Sequence, residues 1–298
     1  MKLYLLRWLM AVWLICGVAL SAHALTGMIY QPQQRDITLS EEFWPTTFRD
    51  LKKRGFDTLI VQWTQYGTLF QAGEEKKWLE RRLQDAVAAD LKLVIGLYAD
   101  PDTFSALEVP SDLLEPYFLE NTEKNIALAK NWLSLLPQPS IVGWYLPMEI
   151  DDRRWRAISD QTVLAKQLSR DVDALKVLST QPVYITSFFK GNSDPTEYKA
   201  MLNTLKQLTH LQIWVQDGVG TRALLPGETA LYLQDLAVCD ESPLAGLVYE
   251  IFRQVGPDRQ FKAEPLPANQ LATALLQRAP CKGDSIFFSL RYLINFGH

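Results

Sequence analysis

Residues 27–34 read Gly27-Met28-Ile29-Tyr30-Gln31-Pro32-Gln33-Gln34. The first five are mostly apolar or aromatic and suit a short strand, which runs out into proline and amides. A doubly wound α/β sheet usually carries a glycine-rich phosphate loop after its first strand. None stands here. Seven more runs of strand character follow, at 58–63, 92–98, 141–146, 183–187, 211–215, 246–249 and 285–290. Amphipathic stretches separate them. Phe48 and Leu51 lead to a stop at Gly55, and Trp78, Leu79, Leu83 and Val87 recur at helical spacing within 76–89. Similar stretches lie near 112–135, 161–178, 195–208, 228–237 and 268–278. Eight strands alternating with seven helices predict an α/β protein, a (β/α)8 TIM barrel over 25–298 as one domain. Little chain follows the eighth strand, so the eighth helix is expected to be missing.

Composition narrows the chemistry. The 298 residues hold 30 Lys+Arg against 34 Asp+Glu, a net charge of −4 without a basic block, so nucleic acid is not an expected partner. Only three His and three Cys are present. A Ser-His-Asp triad or a His-rich zinc site has almost nothing to draw on. Neither a resident metal nor a cofactor is expected, and the chemistry falls to carboxylates, tyrosines and amides.

Residues 1–24 read as a secretory signal. Lys2 and Arg7 precede an uncharged apolar run over 8–22, and Ala22-His23-Ala24 is a small-x-small cleavage site. The run is shorter than the roughly 18 residues a membrane span needs. The protein is therefore expected to be exported, to the periplasm or beyond. The alternative is an inner-membrane tether by the uncleaved signal.

In a barrel the reactive face lies at the C-terminal ends of the strands. Side chains alternate along a strand, so Gly143, Tyr145 and Glu149 share one face, as do Gly246, Val248 and Glu250, and Gly96, Tyr98 and Asp100. Glu149 and Glu250 are expected to face each other across the mouth. Carboxyls about 5–5.5 Å apart suit a retaining glycosidase, and about 6.5–9.5 Å an inverting one. Aromatic faces that pack on a pyranose, and amides that bond its hydroxyls, extend the expected site to Gln31, Gln62, Tyr98, Asp100, Tyr145, Asp151, Trp214, Gln216 and Arg291. Gln212, Trp214 and Gln216 form the expected lumen stripe of the sixth strand, with Trp214 as sugar platform, while Trp144 is assigned to the strand–helix layer. A competing chemistry uses Asp100, Glu149, Asp151 and Asp217 as oxygen ligands of a metal.

At these residues the sequence resembles the clan of retaining (β/α)8 glycoside hydrolases. It is also similar to a bacterial domain of unknown function described as glycosidase-like. The resemblance rests on Tyr30-Gln31-Pro32, on 57–64, on Gly96-Leu97-Tyr98-Ala99-Asp100-Pro101, and above all on 143–152, Gly-Trp-Tyr-Leu-Pro-Met-Glu-Ile-Asp-Asp. It implies that Glu149, after the fourth strand, is the acid/base and Glu250, after the seventh, the nucleophile, in cleavage of a bacterial or environmental polysaccharide. Met148 departs from the clan, whose members carry Asn there to hold the 2-hydroxyl. A sugar modified at its 2-position fits that change, as does a catalytically inactive barrel that binds polysaccharide or helps assemble it.

Two expectations concern the far side. Cys239 and Cys281 each lie between a helix and the next strand, at the bottom of adjacent units, and are expected to form a disulfide in an oxidising compartment. On the eighth strand Ile286, Phe288, Leu290 and Tyr292 are assigned to the outside and Ser285, Phe287, Ser289 and Arg291 to the lumen. With no eighth helix, that apolar strip is expected to need cover at the seam of the first and eighth strands, from a homodimer, a partner protein, rearranged loops of the same chain, or the retained signal helix.

Overall fold

A computed structural model describes residues 24–256, 262–294 and 296. The signal reading falls on residues outside this range except at Ala24. Eight parallel strands close into a barrel in chain order: β1 (Thr26–Tyr30), β2 (Thr58–Val61), β3 (Lys92–Gly96), β4 (Ile141–Asp151), β5 (Val183–Phe188), β6 (Gln212–Gln216), β7 (Leu244–Glu250) and β8 (Asp284–Phe288). Between them run α1 (Phe43–Lys53), α2 (Gly73–Ala88), α3 (Glu115–Leu135), α4 (Ile158–Leu178), α5 (Pro195–Thr209), α6 (Pro226–Leu236) and α7 (Ala268–Ala274). The chain is a TIM barrel. Among the described residues, β8 is followed by one helical turn, Leu290–Leu293, in place of an eighth helix.

Alternation sorts each strand into two faces. One set fills the lumen: Ile29, Ile60, Val94, Tyr145, Tyr184, Trp214, Val248 and Ile286. The other packs under the helices, with Trp144, Trp132 and Trp44 fully buried there. A fully buried aromatic removes roughly 2–3 kcal/mol of apolar surface from water, so this layer supplies much of the drive to fold. At the lumen's lower end the Trp214 indole donates to Asp284 Oδ2 at 2.9 Å, and Asp284 Oδ1 accepts the Leu25 amide at 2.8 Å.

β4 runs five residues beyond its expected end. Its register against β5 jumps from Tyr145↔Tyr184 to Glu149↔Thr186, so two extra residues bulge out. Pro147 lies in the bulge, where a residue without an N–H belongs. An even number of extra residues leaves Glu149 on the same face as Tyr145.

The eighth strand corrects the expected alternation. Ile286 and Phe288 belong to the lumen cluster, whereas Phe287 packs outside on Phe56 and Tyr249, with ring centroids 5.7 and 5.4 Å away. Ser285 lies with Phe287, its Oγ accepting the Ala279 amide. The seam is covered from within the chain. Leu290 is fully buried, and Phe296 packs on Phe43 and Trp44 at 5.3 and 5.8 Å. Of the expected covers, the chain's own residues after β8 supply one, and the assignment of Ile286 and Phe288 to the outside is corrected, since both face the lumen. The wrong face was assigned because Leu290 and Tyr292 were read as strand, when the strand ends at Phe288.

Cys239 and Cys281 form a disulfide with a Cα–Cα distance of 5.2 Å. It ties the turn before β7 to the turn before β8, at the end opposite the mouth. His210, the one histidine among the described residues, caps α5 at that same lower end with φ 58°. No described helix is long and apolar enough to cross a membrane.

Candidate active site

Each lumen stripe rises to one mouth. By alternation, Gln31 stands above Ile29, Gln62 above Ile60, Glu149 above Tyr145, Phe188 above Thr186, Gln216 above Trp214, Glu250 above Val248 and Phe288 above Ile286. Glu149 and Glu250 therefore both reach the reactive end.

Glu149 is half-buried, and Oε1 accepts a 2.8 Å hydrogen bond from Gln216 Nε2. Burial pushes its carboxyl up, Gln216 and the Lys190 ammonium pull it down, and Asp151 adds to the rise. Tyr145 lies beneath, 2% exposed, its hydroxyl 2.8 Å from Thr186 Oγ1.

Glu250 is 4% exposed. Its Oε2 accepts two backbone amides, Gly220 at 2.7 Å and Thr221 at 2.9 Å. Asp217, 6% exposed, lies beside it, and Asp217 Oδ1 accepts the amides of Val219 at 3.1 Å and of Glu250 itself at 3.3 Å. Burial first, then the Asp217 charge, pushes Glu250 up to about 8, with Glu149 contributing, while the two amides oppose the rise. Burial pushes Asp217 to about 7. Gln216 and Lys190 favour the ionised form of Glu149, whereas Glu250 faces two other carboxyls. The two carboxyls thus meet opposite neighbours, a donor and a cation at Glu149 and like charge at Glu250.

The remaining expected residues divide. Gln31, Gln62 and Gln216 stand at the mouth, and the buried Gln62 Oε1 has no hydrogen-bond partner in the ligand-free chain. Tyr145 and Trp214 are corrections: Trp214 is fully buried and stacks on Tyr184 at 4.2 Å, so both rings are lumen floor and out of a sugar's reach. Tyr98 and Asp100 turn toward α3. Lys124 Nζ sits 4.1 Å from the Tyr98 ring, and Asp100 closes its own turn on the Asp102 amide. Asp151 likewise caps the amides of Arg153 and Arg154. Arg291 is held by Asp36 at 2.8 Å, with Tyr30 donating to the same fully buried carboxylate. That pair fixes the Arg291 guanidinium, whose buried Nε has no hydrogen-bond partner among the described residues. Among the described residues, no three His, Cys, Asp or Glu side chains group as a metal ion requires, so the four carboxylates of the metal reading do not converge.

Sequence reasoning missed Phe252 and Phe288 as parts of an aromatic wall beside Glu250. Phe252, Phe288 and Tyr292 pack together at 5.2 to 6.3 Å. Phe188, a strand-end aromatic readable from the sequence, is half-exposed with Lys190 Nζ 5.3 Å from its ring. The Asp217 loop carried a readable signal, since Asp217-Gly218-Val219-Gly220-Thr221 is glycine-rich and directly follows a strand.

Residues 25–294 match the family described as "Domain of unknown function (DUF4434)". The chain is 38% identical over 271 residues to "Uncharacterized protein YbcH" of Escherichia coli (strain K12), covering 91% of this chain and 90% of that protein. Among solved structures, the catalytic domain of β-amylase from Paenibacillus polymyxa aligns with TM-score 0.58 and 10% identity, over 91% of this chain and 93% of that one. GH5_18 from Streptomyces cattleya, in complex with GlcNAc, aligns with TM-score 0.54 and 11% identity, over 90% and 71%. At such identities the likeness is one of fold.

Proposed function

The chain belongs to the DUF4434 family, a glycoside hydrolase-like TIM-barrel family, and from that premise we propose that it is an exported glycosidase that cleaves a polysaccharide or oligosaccharide with two carboxyl groups. The observation that carries this reading is the meeting of Glu149 and Glu250 at one barrel mouth, where burial raises the proton affinity of Glu149, as an acid needs, and the Gly220 and Thr221 amides favour the ionised Glu250 that must attack. Glu149 is the acid/base: as acid it protonates the leaving oxygen, which then departs as a neutral hydroxyl. Glu250 is the nucleophile. It attacks the anomeric carbon, and water activated by Glu149 later releases the sugar. The amides of Gly220 and Thr221 stabilise the Glu250 carboxylate when it leaves again. Gln31, Gln62 and Gln216 bond sugar hydroxyls, and Phe188 and the Phe288 wall supply apolar faces. Met148 packs against the outer core instead of offering an amide, which fits a substrate modified at its 2-position. Export is supported by the Cys239–Cys281 disulfide, a bond of oxidising compartments.

A second reading exchanges the two roles. It is favoured by the surroundings of Glu250, where burial and the Asp217 charge raise its proton affinity, while Gln216 and Lys190 favour the ionised Glu149. Azide rescue separates them: in a retaining enzyme, azide restores activity to the nucleophile's Glu→Ala variant with an inverted glycosyl azide, and to the acid/base variant with a retained one. An inverted product from Glu250→Ala supports the first assignment, and an inverted product from Glu149→Ala supports the second.

A further inference from the structure

The glycosidase reading uses two carboxyls at the mouth, yet a third is buried with them. We propose that Asp217 is a positioning residue for Glu250: it ties down the 217–221 loop as a clamp on the Glu250 head group and, through its own charge, governs when Glu250 ionises. This rests on the reading above only in taking Glu250 as the working group.

The clamp is built from backbone. Asp217 Oδ1 accepts the Glu250 and Val219 amides, and the same loop then returns the Gly220 and Thr221 amides to Glu250 Oε2. Gly218 takes φ +68°, and a Cβ on Gly220 would lie 2.7 Å from Phe252 O and 2.9 Å from Glu250 Cβ. Only glycine lets the loop approach this closely. Gln254 N holds the loop's far side by donating to Gly220 O at 2.8 Å. A carboxylate at this spot is costly: Asp217 is almost fully buried and adds like charge to Glu250. An Asn side chain could accept the same amides without charge, so the charge itself is what Asp217 adds. Other ionisable groups facing the pair are Glu149 from β4, Tyr249 beside Asp217 on β7, and Tyr292 beyond β8, with Arg291 behind it neutralised by Asp36.

The test needs no substrate. The full chain is labelled with 13C at Glu and Asp carboxyls, and Glu250 is assigned by the signal lost in Glu250→Gln. The wild-type Glu250 midpoint is expected well above the ordinary carboxylate range, raised by burial and by the Asp217 charge. In Asp217→Asn its midpoint falls by about one unit or more, and Asp217→Glu restores it. An unchanged midpoint in a folded Asp217→Asn overturns the proposal and leaves Asp217 a loop anchor only. Should that variant fail to fold, the wild-type curves decide. Glu250 and Asp217 signals that each follow the other's ionisation in two steps support the coupling, and two independent one-step curves overturn it. A protein inert on glycans defeats the glycosidase reading and leaves this titration standing.

Discussion

Gln216 Nε2 reaches from β6 to Glu149 Oε1 at the end of β4, a 2.8 Å bond that spans the strand between them. The donor stabilises the ionised carboxyl and so holds its proton affinity down. Gln216→Leu removes that donor. Glu149 should then ionise at higher pH, and the bond's loss should also slow turnover by roughly tenfold or more. Carboxyl-labelled NMR of Glu149 checks the first expectation. A midpoint that falls or stays still would reject the bond's electrostatic role.

Glu250 also makes stability depend on pH. Its folded-state affinity is raised from the ordinary 4.5 to about 8. Between those values the folded protein keeps a proton that the unfolded chain has lost, so stability is full below 4.5 and declines as pH rises toward 8. Asp217, raised from 3.8 to about 7, acts with the same sign. Glu250→Gln should therefore melt higher than the wild type at pH 8 and show a flatter profile across this window. Equal profiles in calorimetry would contradict the buried, raised carboxyl.

The disulfide closes a loop of 42 residues. On the chain-entropy account, opening it costs about 4 kcal/mol. Cys239→Ser with Cys281→Ser should show that loss in urea unfolding, while the Glu250 titration stays where it was, because the bridge lies at the opposite end of the barrel. A shifted titration would mean that the two ends are coupled.

Phe296 fills the space against Phe43 and Trp44, and Arg291 lies over its ring at 4.4 Å. Phe296→Ala should cost roughly 3–5 kcal/mol, as large-to-small changes in a packed core do. A loss below about 1 kcal/mol, measured by denaturant midpoint, would mean the seam is not closed this way.

The barrel was legible because apolar runs and helical spacing repeat eight and seven times, and each error left the others intact. The mouth was legible where parity counts from a secure strand: Glu149 keeps the face of Tyr145 even through the bulge at Pro147. It failed on β8, where Leu290 and Tyr292, past the strand's end at Phe288, made the stripe of Ile286 look uniformly apolar and so outward-facing, although barrel lumens are also filled by apolar side chains. Depth was invisible as well. Trp214 and Gln216 share a stripe, but only the burial of Trp214 and its bond to Asp284 reveal that one is floor and the other mouth. The pairing of Arg291 with Asp36, far away in sequence, is likewise announced by no local pattern.

The central claim is two-carboxyl hydrolysis at this mouth, and the most direct measurement is release of new reducing ends from a panel of bacterial polysaccharides by the wild type, Glu149→Gln and Glu250→Gln. The account predicts that the wild type cleaves at least one glycan and that each variant is slower by ~10²–10⁴ or more while remaining folded. A wild type that binds a glycan without cleaving it, or either variant cleaving at the wild-type rate, would contradict it.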